Sequence, residues 1–211
     1  MDPDKKSPIV RCIFKRLSRL YSCTPYGILK QRLGWEKSPK IDIYIERWAI
    51  GCFILSIVLF FLSFEQKIKW WEIIFLVVGA VRIIELIIVV ARVLFFHGFK
   101  LEKSDHIGPF SGPRRLVILL LLNYIELVFW FALFNRNFLC LSSSCLNEPT
   151  QALAFSFVNI SGVGTSSYVP VHPAGRLLVL FQSVIGVFMA LTVLAKFISY
   201  LPGPKNKEDL D

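Results

Sequence analysis

The sequence predicts an all-α membrane protein with four transmembrane helices and a short re-entrant segment between the third and the fourth. Three observations lead to this fold class. Of the 211 residues, 55% are hydrophobic and only 18% are charged, whereas about a quarter of a soluble domain is charged. The mean hydropathy is +0.58. Finally, the chain contains four long apolar runs, and each reaches or approaches the roughly 20 residues that a helix needs to cross a bilayer.

The first 47 residues form a basic tail ahead of these runs. Apolar residues recur at helical spacing between Val10 and Tyr21, with lysine, arginine and serine at the positions between them. This pattern predicts an amphipathic helix lying flat on an anionic inner leaflet. The alternative is a helix that packs on the underside of the protein. Most of the net charge of +9 lies in this tail, so anionic lipid accounts for it and no nucleic-acid partner is predicted.

The four apolar runs are the predicted spans: Trp48–Phe64, Trp70–Phe96, Leu116–Phe134 and Leu177–Leu201. They divide the chain into a basic tail, a peripheral two-helix membrane region, a linker, a C-terminal membrane domain and a second tail, which cover residues 1–47, 48–96, 97–115, 116–201 and 202–211.

Lysine and arginine predict how the spans are oriented. The first tail carries eleven of these residues and the loop after the second span carries four, whereas the two loops on the opposite side hold only Lys67, Lys69 and Arg136, with Arg176 at the start of the fourth span. Basic loops stay on the cytoplasmic side of a membrane. Both termini are therefore predicted to be cytoplasmic, in a multi-pass protein of the plasma membrane, and the re-entrant segment enters from outside.

Three ionisable residues lie near the middle of predicted spans: Arg82 and Glu85 in the second span and Glu126 in the third. A charge at the bilayer centre costs at least about 2.5 kcal/mol, so it needs a partner or water. Arg82 can pair with Glu85 three residues along the helix, or with Glu126 on the next span. An intramembrane ion pair that joins the helices is the favoured interpretation, and a gating or proton-coupled role is the alternative.

Cys140 and Cys145 lie in the predicted outer loop, where oxidising conditions permit a disulfide. Two free thiols are the alternative. No spacing of cysteine and histidine suggests a metal site, and the motifs of metalloproteases, hydrolases and nucleotide-binding enzymes are missing from the sequence. We therefore expect no metal, no cofactor and no enzymatic activity.

The re-entrant segment runs from Ala152 to Pro173 and is too short and too broken to cross a bilayer. A capping Asn147 and an early Pro149 predict a short helix over about residues 149–160. A run rich in glycine, serine and threonine follows it. Non-helical backbone at membrane depth is tolerated where protein buries it or where it lines a watery cavity. Such a segment is typical of a pore.

This segment resembles the pore loop of the tetrameric potassium-channel superfamily, in which a pore helix runs into a T-V-G-Y-G filter followed by an acidic residue. The resemblance covers roughly Leu116–Leu201 and implies a pore domain made of an outer helix, a pore loop and an inner helix. In that family, stacked backbone carbonyls replace the hydration shell of the ion. The filter residues that the resemblance implies are Ser161, Gly162, Val163, Gly164, Thr165 and Ser166.

Four positions depart from the family pattern. Gly162 stands in place of the family's threonine, Thr165 in place of the aromatic residue, Ser166 in place of the second glycine and Ser167 in place of the acid. In the family, the aromatic residue and the acid help to hold the filter at its width. The resemblance therefore implies a divergent filter with weakened selectivity.

The resemblance also makes the fourth span the inner helix of the pore. Gly186 is then a candidate gating hinge, and the alternative is a small residue that permits close contact between helices. Thr192 and Lys196 share one face near the cytoplasmic end and are candidates for the inner pore. Lys196 alternatively extends to the lipid headgroups.

A single pore loop per chain indicates that several copies close one conduit. The predicted function is a homotetrameric subunit that conducts monovalent cations, with K⁺ as the leading ion, reduced selectivity, and contacts with anionic lipid of the inner leaflet. The alternatives are a non-selective or Na⁺-permeable channel, and a non-conducting accessory subunit.

Overall fold

The computed structural model describes residues 19, 22, 24–32, 41–65, 69–101, 113–138, 148–163, 170 and 172–199. Six α-helices occur within these residues: α1 Pro25–Arg32, α2 Ile41–Glu65, α3 Lys69–Leu101, α4 Pro113–Phe138, α5 Pro149–Ser161 and α6 Pro173–Ser199. By length and composition, α2, α3, α4 and α6 can cross a membrane. The predicted all-α membrane fold is confirmed, and the short helix α5 lies between the third and fourth spans.

The helices are longer than the apolar runs that predicted them. For example, α2 begins at Ile41 rather than at Trp48, and α4 continues to Phe138 rather than ending at Phe134. Hydropathy identifies only the apolar part of a helix, which lipid or protein covers. The backbone hydrogen bonds of the helix continue into the polar turns on either side of that part.

The central helix of the subunit is α4, which contacts α2, α3, α5 and α6. Over half of its membrane-crossing stretch (56%) is buried, against 28% for α2 and for α6. Its core side chains include Leu127, Trp130 and Phe131, each less than 2% exposed. Because one continuous apolar cluster includes residues of α2, α3, α4, α5 and α6, the peripheral helices and the last three helices share a single core.

Helix α1 was not predicted, and it packs against the membrane helices. Pro25 opens it, and the Thr24 hydroxyl accepts the backbone N–H of Gly27 at 3.2 Å. The Tyr26 side chain is buried, its ring lies 6.1 Å from that of Trp48, and its backbone N–H donates to Glu85 Oε1 at 2.9 Å. The N-terminal segment is therefore attached to α2 and α3. The amphipathic helix predicted from residues 10 to 21 lies almost entirely outside the described residues.

Candidate functional site

Helix α5 begins at Pro149, as the sequence predicts, but its N-cap is Glu148 rather than Asn147. A residue that precedes proline is forced into an extended conformation, and Glu148 has φ −103° and ψ 136°. Proline at the first helical position loses no hydrogen bond there. The Glu148 side chain makes no capping hydrogen bond, and its Oε2 atom accepts from Gln151 Nε2 at 3.2 Å instead. Asn147 lies outside the described residues.

Gly162 ends this helix. It has φ 66° and ψ 16°, the left-handed conformation that glycine adopts without strain, and its N–H donates to the Val158 carbonyl at 3.1 Å. The position where the family has threonine is thus a C-cap in this chain. Val163, the next residue, is 79% exposed in the subunit. Ser161 donates to the same Val158 carbonyl at 3.4 Å, and Gly164, Thr165 and Ser166 lie outside the described residues.

Helix α5 runs beside the first half of α6, in the same direction. The contacts advance together along both helices: Ser156 accepts from Gln182, the Asn159 carbonyl accepts from Ser183 at 3.3 Å, and the Ile160 carbonyl faces Gly186. Gly186 is midway along α6. A helix of 13 residues is about 20 Å long. The C-terminal end of α5, which carries the negative end of the helix dipole, is therefore located at about half the depth of the span.

A buried polar network holds α5 between α4 and α6. Gln182 Nε2 donates to the Ser156 carbonyl at 2.8 Å and to Ser156 Oγ at 3.0 Å, and Asn135 Nδ2 donates to Gln182 Oε1 at 3.0 Å. Ser156 Oγ in turn donates to the Val128 carbonyl at 2.7 Å. Ser156, Gln182 and Asn135 are completely buried. One side chain from each of the three helices thus fixes the position of α5.

Replacing Gln182 by leucine should destabilise the subunit by about 1–3 kcal/mol, because it removes the donor to Ser156 and leaves the Asn135 amide without its acceptor. Equilibrium unfolding in mixed micelles would measure this loss. The control is Gln151→Leu on α5, whose hydrogen bond to Glu148 is exposed. Adding Asn135→Leu to Gln182→Leu should recover part of the loss. Equal stabilities of Gln182→Leu and Gln151→Leu would contradict the assigned role.

The candidate inner-helix residues occupy different surroundings. A Cβ atom added to Gly186 would lie 1.9 Å from the Ile160 carbonyl oxygen, so this glycine sits in close contact with the end of α5. Thr192 is completely buried and donates to the Phe188 carbonyl at 2.8 Å. Lys196 is partly exposed in the last turns of α6. The hinge role of Gly186 and the pore-lining roles of Thr192 and Lys196 stay predictions.

The structure brings Arg82, Glu85 and Glu126 together inside the membrane helices. Arg82 donates to both oxygens of Glu126, from Nε at 2.7 Å and from Nη2 at 3.1 Å, and its Nη1 donates to Glu85 Oε2 at 2.6 Å. Arg82 therefore pairs with both of the glutamates that the sequence offered, Glu85 and Glu126, at the same time. Trp130 Nε1 donates to Glu126 Oε1 at 3.1 Å, and the remaining Glu85 oxygen accepts the N–H of Tyr26. This network links α1, α3 and α4.

Cys140 and Cys145 lie outside the described residues, so their disulfide stays a prediction. Within the part of the chain that the structure describes, no cluster of three or more histidine, cysteine or acidic side chains could hold a metal ion.

Sequence reasoning missed Gln182, Asn135 and Tyr26. The first two carried a usable signal, since each is a polar residue within an apolar span, where such a residue must find a partner. For Tyr26 the signal was the Thr24–Pro25 pair, a helix start of the kind that an N-cap threonine and a following proline form.

Comparison with known families agrees with this geometry. A family model described as an ion channel matches residues 116–202, which begin in α4 and include α5 and α6. No curated protein and no solved structure gives a significant match to the chain. The matched segment contains the outer helix, the re-entrant helix and the inner helix that the resemblance implies. Residues 116–202 thus match an ion-channel family of the two-span, potassium-channel-like type, and they lie in a multi-pass membrane protein.

Proposed function

We propose that the chain is the subunit of a homotetrameric channel that conducts monovalent cations, with K⁺ as the preferred ion and with weaker selectivity than the family's T-V-G-Y-G filter gives. Helices α4, α5 and α6 and the loop after α5 form the pore, and α2 and α3 surround it. Both termini face the cytoplasm of a cell whose plasma membrane holds the channel.

One observation carries the proposal. Helix α5 enters beside α6 and stops at about half the depth of the span, where Ile160 meets Gly186. Four such helices around one axis would direct the negative ends of four dipoles, each equivalent to about half a charge, at a common cavity. This arrangement favours a cation and disfavours an anion. Gly162 and Val163 then leave the helix towards that cavity, where Val163 is exposed in the single subunit.

The exposed faces of the pore domain support assembly with further copies. An apolar stripe at helical spacing runs along the whole of α6, and Phe157 on α5 is 52% exposed although it belongs to a helix held between two others. In a closed ring, neighbouring subunits and the conduit meet these faces. The α6 stripe includes Leu177, Leu180, Val184, Val187, Leu191 and Leu194.

The filter sequence supports weakened selectivity. Selectivity depends on the number, the field and the geometry of the coordinating carbonyls. Gly162 has no side chain, so no hydroxyl is available at that position to complete an ion site. Thr165 and Ser166 lack the aromatic ring and the second glycine that hold the family's filter. We therefore expect Na⁺ to permeate beside K⁺.

Flux through liposomes containing the purified protein tests this proposal. Bi-ionic reversal potentials should show K⁺ and measurable Na⁺ permeation with Cl⁻ excluded, and the solubilised particle should have a mass near four subunits plus detergent. Thr165→Tyr combined with Ser166→Gly and Ser167→Asp should raise the preference for K⁺. A reversal potential that follows Cl⁻ would overturn cation conduction. A folded tetramer that passes no ion would favour the accessory role.

A further inference from the structure

Helix α1 reaches into the membrane-spanning part of the subunit. Its first turn contacts Glu85 of α3, which lies six residues before the end of the span Trp70–Ala91, about 9 Å inside it. Tyr26 of α1 is 6% exposed, and its ring lies against that of Trp48 on α2. Because a helix of eight residues is only marginally stable on its own in water, the helical form of α1 depends on these contacts.

The backbone donors in the first turn of α1 show how the helix is held. Pro25 has no N–H, and the Gly27 N–H bonds within the same segment, to Thr24 Oγ1 at 3.2 Å. The Tyr26 N–H instead bonds to another helix, at Glu85 Oε1. A backbone donor at membrane depth must have a partner, and a carboxylate interacts favourably with the positive end of a helix dipole. Glu85 is thus the anion at the N-terminus of α1.

Helix α1 also improves the charge balance of the buried cluster. The single positive charge of Arg82 faces the carboxylates of Glu85 and Glu126, which are 1% and 0% exposed. An uncompensated charge is costly in such a place. The positive end of the α1 dipole, equivalent to about half a charge, lies against Glu85 and offsets part of the excess negative charge. The cluster is therefore more stable when α1 is docked.

One short stretch of α4 contacts both this cluster and α5. Glu126 and Trp130 belong to the cluster, and between them the carbonyl of Val128 accepts the hydroxyl of Ser156 on α5 at 2.7 Å. The whole stretch spans about 6 Å along the helix. A Cβ atom added to Gly79 of α3 would lie 2.7 Å from the Trp130 ring, so α3 and α4 are in close contact here. A shift of α4 at this point therefore moves α5.

We propose that α1, Pro25–Arg32, is a regulatory strap of the pore. Docked on Glu85, it stabilises the cluster that joins α3 to α4, and α4 in turn holds α5 in its observed position. Release of the strap loosens α5. The two-state element is α1 itself, docked or released, and α4 carries its effect. The consequence for ion permeation rests on the proposed function, whereas the coupling between α1 and α5 does not.

Hydrogen–deuterium exchange of the full-length protein in nanodiscs tests the docking contact. Glu85→Gln leaves one acceptor oxygen for two donors, Arg82 Nη1 and the Tyr26 N–H. Loss of a hydrogen bond to a charged group should speed exchange of the α1 amides about tenfold.

The matched control for this variant is Glu126→Gln, the same charge change in the same cluster. The described partners of Glu126 lie on α3 and α4, so the α1 amides should exchange at the wild-type rate. Equal acceleration by both variants, or none by Glu85→Gln, would overturn docking on Glu85.

Tyr26→Ala tests the coupling without altering the cluster. It removes the ring that packs on Trp48, so it should release α1 and speed exchange of the α5 amides about fivefold, as a modest coupling between two sites predicts. The control is Ile28→Ala on the same helix, where the side chain is 46% exposed, and both helices should exchange as in the wild type. A released α1 with an unchanged α5 would refute the coupling.

Ser156→Ala tests the same coupling from the other end. It removes the hydroxyl that donates to Val128, and it should speed exchange of the α1 amides, because coupling between two sites is reciprocal. An unchanged α1 in this variant would contradict the strap even if Tyr26→Ala failed to fold.

Ion flux then tests the effect on the pore. Tyr26→Ala should lower the preference for K⁺ over Na⁺, because a looser α5 carries Gly162 and Val163, the first residues of the proposed filter, whereas Ile28→Ala should leave it unchanged. Exchange reports on the helices whether or not ions pass. A wild-type protein that conducts no ion would therefore contradict the proposed function and leave the coupling supported by exchange. Unchanged selectivity in a Tyr26→Ala channel whose α5 exchanges faster would overturn the regulatory role of α1.

Discussion

Arg82→Met is expected to lower the free energy of unfolding by about 3–5 kcal/mol, because it removes the cation that pairs with both carboxylates of a buried cluster and leaves those carboxylates behind. Glu126 would keep the N–H of Trp130 as a donor, and Glu85 would keep the N–H of Tyr26. Neither donor is charged. The two carboxylates would therefore lie close together, within apolar helices and without a counter-charge.

Equilibrium unfolding in mixed micelles measures this effect, and two further variants separate its causes. Arg82→Lys retains the charge but cannot reproduce the two parallel hydrogen bonds to Glu126 together with the bond to Glu85, so its loss should be intermediate. Neutralising the whole cluster, with Glu85→Gln and Glu126→Gln added to Arg82→Met, should recover part of the stability because no uncompensated charge is left.

The matched control is Arg115→Met. Arg115 also pairs with a glutamate on another helix, Glu46 of α2, but those side chains are 21% and 39% exposed. Exposed ion pairs contribute roughly 0–1 kcal/mol. Similar losses for Arg82→Met and Arg115→Met would mean that the Arg82 cluster is solvated. That outcome would refute the role of the cluster in joining α3 to α4.

The elements that the sequence predicted well are those whose signal is local. Each span follows from its own hydropathy, and α5 follows from Pro149 and the glycine-rich run after it, so the helix ends within one residue of its predicted end. The cap was misplaced by one residue because Asn147 is the better capping side chain, whereas Pro149 fixes which residue can occupy that position.

The contacts between helices were harder to predict from the sequence. They depend on the register of one helix against another, which the sequence does not specify. Arg82 could be matched with either glutamate from spacing alone, but its simultaneous bonds to both require the observed approach of α3 to α4. Similarly, Gln182 and Asn135 are 47 residues apart and meet only when α6 packs against α4. Hydropathy identifies such polar residues as requiring a partner, and packing decides which partner.

At Gly186, α6 meets the C-terminal end of α5. A Cβ atom at this position would lie 1.9 Å from the Ile160 carbonyl oxygen and 2.8 Å from its carbonyl carbon. These are backbone atoms, so no rotamer change can relieve the contact, and α5 would have to move away from α6. We expect Gly186→Ala to destabilise the subunit by about 1–3 kcal/mol, although alanine is the better helix former by about 1 kcal/mol.

Two other glycines in membrane helices give a graded comparison. Gly51 in α2 has no atom within 4 Å of an added Cβ, so Gly51→Ala should be neutral or stabilising. Gly79 in α3 would meet the side chains of Trp130 and Phe134 at 2.7 and 2.9 Å, which can shift, so its loss should be intermediate. Thermal unfolding of the three variants in one detergent should therefore rank them Gly51, Gly79 and Gly186, from most to least stable.

The same variants distinguish close contact from a hinge at Gly186. A hinge that only bends during gating would let Gly186→Ala unfold at or above the wild-type temperature, as Gly51→Ala does, and would change the time that the pore is open. The contact with Ile160 predicts a lower unfolding temperature. If Gly162 and Val163 begin the proposed filter, it also predicts altered ion selectivity, because a displaced α5 carries these two residues with it.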